Sequence, residues 1–118
     1  MPNERYRGAA VRDGYHALIL ANRSPTQIAV WISFDNEWWV TPNLPSRANS
    51  LVIPVTEGTY VKWRAVSSRA VARYNIVHNT NYSIQSEEIA FNEDVVCWQG
   101  EFLCTHTMLG TTLVLTFL

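Results

Sequence analysis

The feature that most constrains this chain is a hydrophobic period of two, carried in runs of five to eight residues that are cut apart by Pro, Asn, Ser and Gly. Alternation at that period puts one face of an extended chain against a core, and runs of this length separated by turn residues make short strands. The run Ile28, Val30, Ile32, Phe34 interleaves with Ala29, Trp31, Ser33, so one face belongs to the core and the other carries a tryptophan. Nine strands are expected, at 15–21, 27–34, 37–41, 50–55, 59–66, 69–78, 94–99, 102–106 and 111–118. Turns come from Asn22-Arg23-Ser24-Pro25, Asp35-Asn36, Pro42 to Pro45, Glu57-Gly58, Ser67-Ser68, Asn79-Thr80-Asn81 and Gly100-Glu101. Only 86–92 has a helical character, and it is too short to stand without packing support. The pattern predicts an all-β chain, a single-domain antiparallel β-sandwich of jelly-roll-like form with about nine short strands.

At 118 residues and 47% hydrophobic, the chain suits one core, placed at residues 15–118 behind a polar, Arg-bearing N-terminal arm at 1–14. The first apolar run, Ala17 to Ala21, is too short for a signal-peptide core or a membrane span. The expectation is a protein made in the cytoplasm without a signal peptide, with no membrane partner.

All nine Lys and Arg lie in the first 73 residues, and from Tyr74 to Leu118 there are five acids and no base. The first part thus carries nine bases and five acids (+4) and the second five acids (−5), which makes the net charge of −1. Segregated charge of this kind steers and registers association between proteins. If Ser67-Ser68 is a two-residue turn, the flanking strands form a hairpin with Val61, Trp63, Ala65, Ala70, Ala72 and Tyr74 on its core face. The other face then holds Lys62, Arg64, Arg69 and Arg73. Such a face is either solvated surface that discourages edge pairing or a contact for acidic residues of a partner. The acids of the second part, Glu87, Glu88, Glu93 and Asp94, are the matching half of that contact. Nucleic acid is not expected as a partner, because the net charge is near zero and no aromatic is interleaved among the four bases.

Trp38 and Trp39 are adjacent in a strand, so they point to opposite faces and only one fits the same core. The other is a candidate platform for a glycan or a protein contact, or a cover for a second core layer. Cys97 and Cys104 flank a presumed Gly100-Glu101 turn, which would set them opposite each other. Without an oxidising context two buried thiols are expected. A zinc site from Cys97, Cys104 and His106 lacks a fourth ligand and the usual close Cys spacing. His16, His78 and His106 are scattered, and no nucleophile elbow or phosphate loop is present. No catalytic residue, metal or cofactor is therefore assigned, and the chain is expected not to be an enzyme.

The stretch from Asn22 to Trp38, with Leu51-Val52-Ile53-Pro54-Val55 and Gly58-Thr59-Tyr60-Val61-Lys62-Trp63, resembles small β-sandwich accessory domains of tailed-phage virions. The rhythm that carries the resemblance is a strand, a Ser-x-Asp-x-x-Trp turn at 33–38, a proline-bearing strand and a Gly-x-Tyr strand, over about half the chain. Asn36 departs from it where glycine is usual. The resemblance implies a non-enzymatic virion component, a capsid decoration, tail or fibre protein that forms homo-oligomers through charge-complementary β surfaces. Its partners would be copies of itself or other assembly proteins. A lectin-like module using Trp38 or Trp39 is the competing reading.

Overall fold

A computed structural model describes residues 14–118. The arm expected at 1–14 lies outside the described residues except for Gly14.

The described chain is mostly strand, in two sheets with few helices. Seven strands form, β1 (His16–Asn22), β2 (Ile28–Phe34), β3 (Glu37–Val40), β4 (Ile53–Val55), β5 (Tyr60–Ser67), β6 (Trp98–Leu103) and β7 (Thr112–Phe117). Between β5 and β6 stand α1 (Ser68–His78) and α2 (Glu87–Ala90). One sheet has the order β4-β1-β7 and the other β3-β2-β5-β6. Neighbours are antiparallel except β1 and β7, which run parallel, a departure from the antiparallel expectation.

One core lies between the sheets. Leu18 and Leu20 of β1, Ile53 and Val55 of β4, and Phe117 of β7 meet Ile28, Val30 and Ile32 of β2 and Val61 and Ala65 of β5. Every second residue contributes, as period two requires. Asn22 closes one end of β1 from a fully buried position: its Nδ2 lies 2.9 Å from the carbonyls of Thr26 and Leu44, and its Oδ1 accepts from Ser24 N–H and Oγ. A buried amide so fully partnered fixes the 23–27 turn to the 44–45 segment at little desolvation cost. Asp35 and Asn36 both adopt positive φ, 52° and 71°, joining β2 to β3 as the two-residue hairpin turn expected there.

Two elements differ from expectation. Residues 69–78 are helix and not strand, so the basic hairpin does not exist. Ser67 does not turn the chain but caps α1, its Oγ accepting from Ala70 N–H at 3.0 Å, a contact worth about 1 kcal/mol. Arg69, Ala70, Ala72 and Arg73 favour helix, and Ala70, Val71 and Tyr74 form an i, i+1, i+4 stripe against the sheet. Val71, expected outward, is buried, and Ala72, expected inward, is exposed. The place next to β5 that the hairpin would have filled is taken by β2 on one side and β6 on the other. The second difference is at 94–106, where one strand replaces two. Gly100 and Glu101 lie in mid-strand opposite Trp63 and Lys62. Cys97 and Cys104 therefore stand at opposite ends of β6, both free, Cys97 exposed and Cys104 buried.

Candidate interaction site

The four-stranded sheet has a second face, turned away from the shared core. Cross-strand register assigns to it Ala29, Trp31 and Ser33 of β2, Trp38 of β3, Lys62, Arg64 and Val66 of β5, and Gln99 and Glu101 of β6. The 68–97 excursion covers one end of this face. Val71 of α1, Ile89 of α2 and Val95 pack on Ala29 and Val66 as a second, smaller apolar cluster.

Beyond that cluster the face becomes aromatic and charged. Phe91, just past α2, meets Trp38 edge-on with ring centroids 5.0 Å apart and Trp31 at 5.9 Å. The Arg64 guanidinium lies 5.1 Å from the Phe91 ring centre, and its Nε donates to the Ala90 carbonyl at 3.1 Å, filling one of the acceptors that a helix end leaves open. Its terminal nitrogen bonds Glu93 at 2.5 Å. That hydrogen bond, and then the charge of Arg64, hold the Glu93 carboxyl below its usual range. Arg64 thus ties three consecutive parts of the excursion, Ala90, Phe91 and Glu93, to the centre of the sheet. Two polar atoms beneath have no partner, Trp31 Nε1 and Ser33 Oγ, both buried.

The sequence-derived site residues separate into groups. Lys62, Arg64, Glu93 and Trp38 share this face, with Lys62 opposite Glu101 and 5.6 Å from the Tyr60 ring. Trp39 turns to the shared core, so the tryptophan pair divides between faces as its adjacency demands, both rings half-buried. Arg69 and Arg73 are exposed on α1, whereas Lys62 and Arg64 stand on β5, which corrects their placement on one hairpin face. Glu87 and Glu88 are exposed on α2, where Glu88 accepts from Tyr82 Oη at 2.9 Å and so pushes the phenol pKa up. Asp94 is exposed. Sequence reasoning missed Phe91 and Ser33. The first showed only as the sole aromatic between Tyr82 and Trp98, and the second only as a polar residue on an apolar strand.

The histidines remain apart. His16 is buried, and its Nδ1 lies 3.0 and 3.1 Å from the carbonyls of Met108 and Thr111, which can only accept, so Nδ1 donates there while Nε2 has no partner. His106 pairs with Glu57 at 3.3 Å on the surface. Among the described residues no group of three or more His, Cys, Asp or Glu is placed to hold a metal ion, and no helix is long and apolar enough to cross a membrane.

No protein-family model, curated protein or solved structure matches this chain.

Proposed function

We propose that this protein is a non-enzymatic structural component that works by associating with other copies of itself or with other assembly proteins, in the manner of a virion decoration, tail or fibre subunit. The observation that carries the reading is the outer side of α1. There Ile76 and Val77 are 83% and 71% exposed, next in line to Arg69 and Arg73, so a helix that buries only Val71 presents branched apolar side chains and two guanidinium groups to its surroundings. Two adjacent branched apolar residues at that exposure make a small apolar patch, and Arg beside apolar area is the composition of protein contacts. No acid sits in the first turn of α1 to offset Arg69, so the helix gives up dipole stabilisation to keep a base there. The fold that goes with this reading is a two-layer β-sandwich, jelly-roll-like in stacking a three-stranded and a four-stranded sheet on one core but with β1 and β7 parallel.

The test is the solution mass of the full chain by sedimentation or light scattering. Particles larger than the 13.5 kDa protomer are expected, and a monodisperse protomer at high concentration overturns the proposal. A glycan-binding module is the second reading, favoured by the half-exposed ring of Trp38 on the outer face of the four-stranded sheet. A glycan array without hits, or binding unchanged in Trp38→Ala, removes it.

A further inference from the structure

The two sheets have four outer strands, and three are protected against pairing. β4 is three residues long and contains Pro54, β3 is four residues long and begins with Glu37, and β6 carries Glu101. β7 has none of these devices. Its sequence, Thr112-Leu113-Val114-Leu115-Thr116-Phe117, is uncharged, free of Pro and Gly, and built of strand-favouring residues. Its one strand neighbour among the described residues is β1.

The orientation of its backbone follows from the ladder with β1. The carbonyls of Thr111 and Phe117 accept from Ala17 and Arg23 N–H at 2.9 and 2.8 Å, so the odd-numbered residues turn their N–H and C=O toward β1. Alternation leaves the N–H and C=O of Thr112, Val114 and Thr116 pointing to the open side. The side chains of these same three residues are exposed.

We propose that β7 pairs antiparallel with β7 of a second copy about a two-fold axis at Val114, joining the two three-stranded sheets into one of six strands. Partners across an antiparallel pair must lie on the same face, and the groups that face outward must be the ones that exchange bonds. Centring on Val114 meets both conditions: Val114 opposes Val114 of the other copy, and Thr112 opposes Thr116. Each of these pairs exchanges two backbone hydrogen bonds, so every open N–H and C=O of the strand is used. The absence of charge on β7 lets the edge meet itself without repulsion, and Thr opposite Thr is a favourable cross-strand pair. A partner chosen for an acidic or basic match would need charges that β7 lacks, which is why the occupant is a second copy.

This inference rests on the self-association proposed above and adds a second contact to the α1 surface named there, and the experiment separates the two. The full chain is compared with three surface variants by sedimentation equilibrium and by near-UV dichroism to verify folding. Val114→Lys sets like charges directly opposite each other, and Thr112→Lys with Thr116→Lys does so twice; each should weaken the dimer at least about tenfold. Thr112→Lys with Thr116→Glu sets opposite charges across the axis in this register alone and should keep the dimer. A monomeric parent protein sinks both proposals. A parent that associates, with Val114→Lys and the double-Lys variant associating equally well, overturns the β7 contact and leaves self-association standing. Loss of the dimer in the Lys/Glu variant as well overturns the register.

Discussion

Gly100→Ala tests the packing of the shared core where it is least tolerant. Gly100 stands on the inner side of β6 directly opposite Trp63, and the six-membered ring of the indole covers it closely. A Cβ built there comes within 2.5 Å of Trp63 Cη2 and 2.8 Å of Cε2, with Cζ2 nearer still, all atoms of a rigid ring rather than of a flexible chain end. The indole has little freedom to slide, since Phe102 packs beside it at 6.2 Å. Forcing a methyl into such a site costs about 1–3 kcal/mol, while the lost chain freedom of the unfolded state returns about 0.4–1 kcal/mol. The net expectation is a loss of about 1–2 kcal/mol. With a denaturant slope of about 2 kcal/mol per molar urea, the unfolding midpoint should fall by roughly half to one molar. Trp63→Leu removes the ring, so in that background the same glycine substitution should cost close to nothing, a coupling that a double-mutant cycle reads directly. Gly100→Ala as stable as the parent, or an equal penalty with and without the indole, would refute the close approach of backbone and ring.

The two thiols should separate by reactivity: exposed Cys97 reacts with a thiol reagent in the native protein, and Cys104, buried with its pKa raised by that burial, reacts only as the chain unfolds. Peptide mapping after a timed pulse checks this, and equal labelling of both would contradict the burial of Cys104. The Arg64–Glu93 pair should give a pH signature. Because the folded-state pKa of Glu93 is depressed, its contribution is present above the unfolded carboxylate value and is lost as pH falls through the folded one. Glu93→Gln should therefore be less stable than the parent at neutral pH and converge on it in acid, by an amount that shrinks with salt because the Glu93 side chain is 70% exposed. A stability difference that stays constant across the acid range would remove the ion pair from the account.

Much of the sheet structure was legible because period two is a local signal. β2, β5 and the Asp35-Asn36 hairpin follow from residues that touch in sequence, as does the division of Trp38 and Trp39 between faces. Residues 68–78 were not legible, because alternating bases and small apolar residues satisfy a strand face and a helix stripe alike. Ala70 and Tyr74 belong to both patterns; Val71 decides between them, and only its burial under the excursion shows which pattern won. The sorting of apolar and basic residues onto two faces of the expected hairpin is thus a coincidence of small residues at even spacing. Of the site, Trp38, Lys62, Arg64 and Glu93 could be named from sequence, but the meeting of Trp38 and Arg64 with Phe91, and of Arg64 with Glu93, could not. Arg64 and Glu93 are 29 residues apart and joined by a helical excursion with no strand register to count along.

The charge segregation of the sequence changes its meaning once these contacts are known. Arg64, the base nearest the centre of the sheet, is satisfied within its own chain by an acid from the base-free segment, so part of the complementarity holds a loop on a sheet and is spent before any second copy arrives. What would remain for the proposed association is of two kinds. Arg69 and Arg73 on α1 and Glu87 and Glu88 on α2 are exposed and therefore screened, worth little per pair and useful mainly for steering. The β7 edge is uncharged, and the pairing proposed for it would run between backbone groups that salt screens little. A protein that used both would approach under the influence of charge and hold by strand pairing, with rate and permanence set by different parts of the surface. On that proposal the acids and bases need not be numerous, and the edge strand that has neither charge, Pro nor extreme shortness to protect it is the one that would meet a copy of itself.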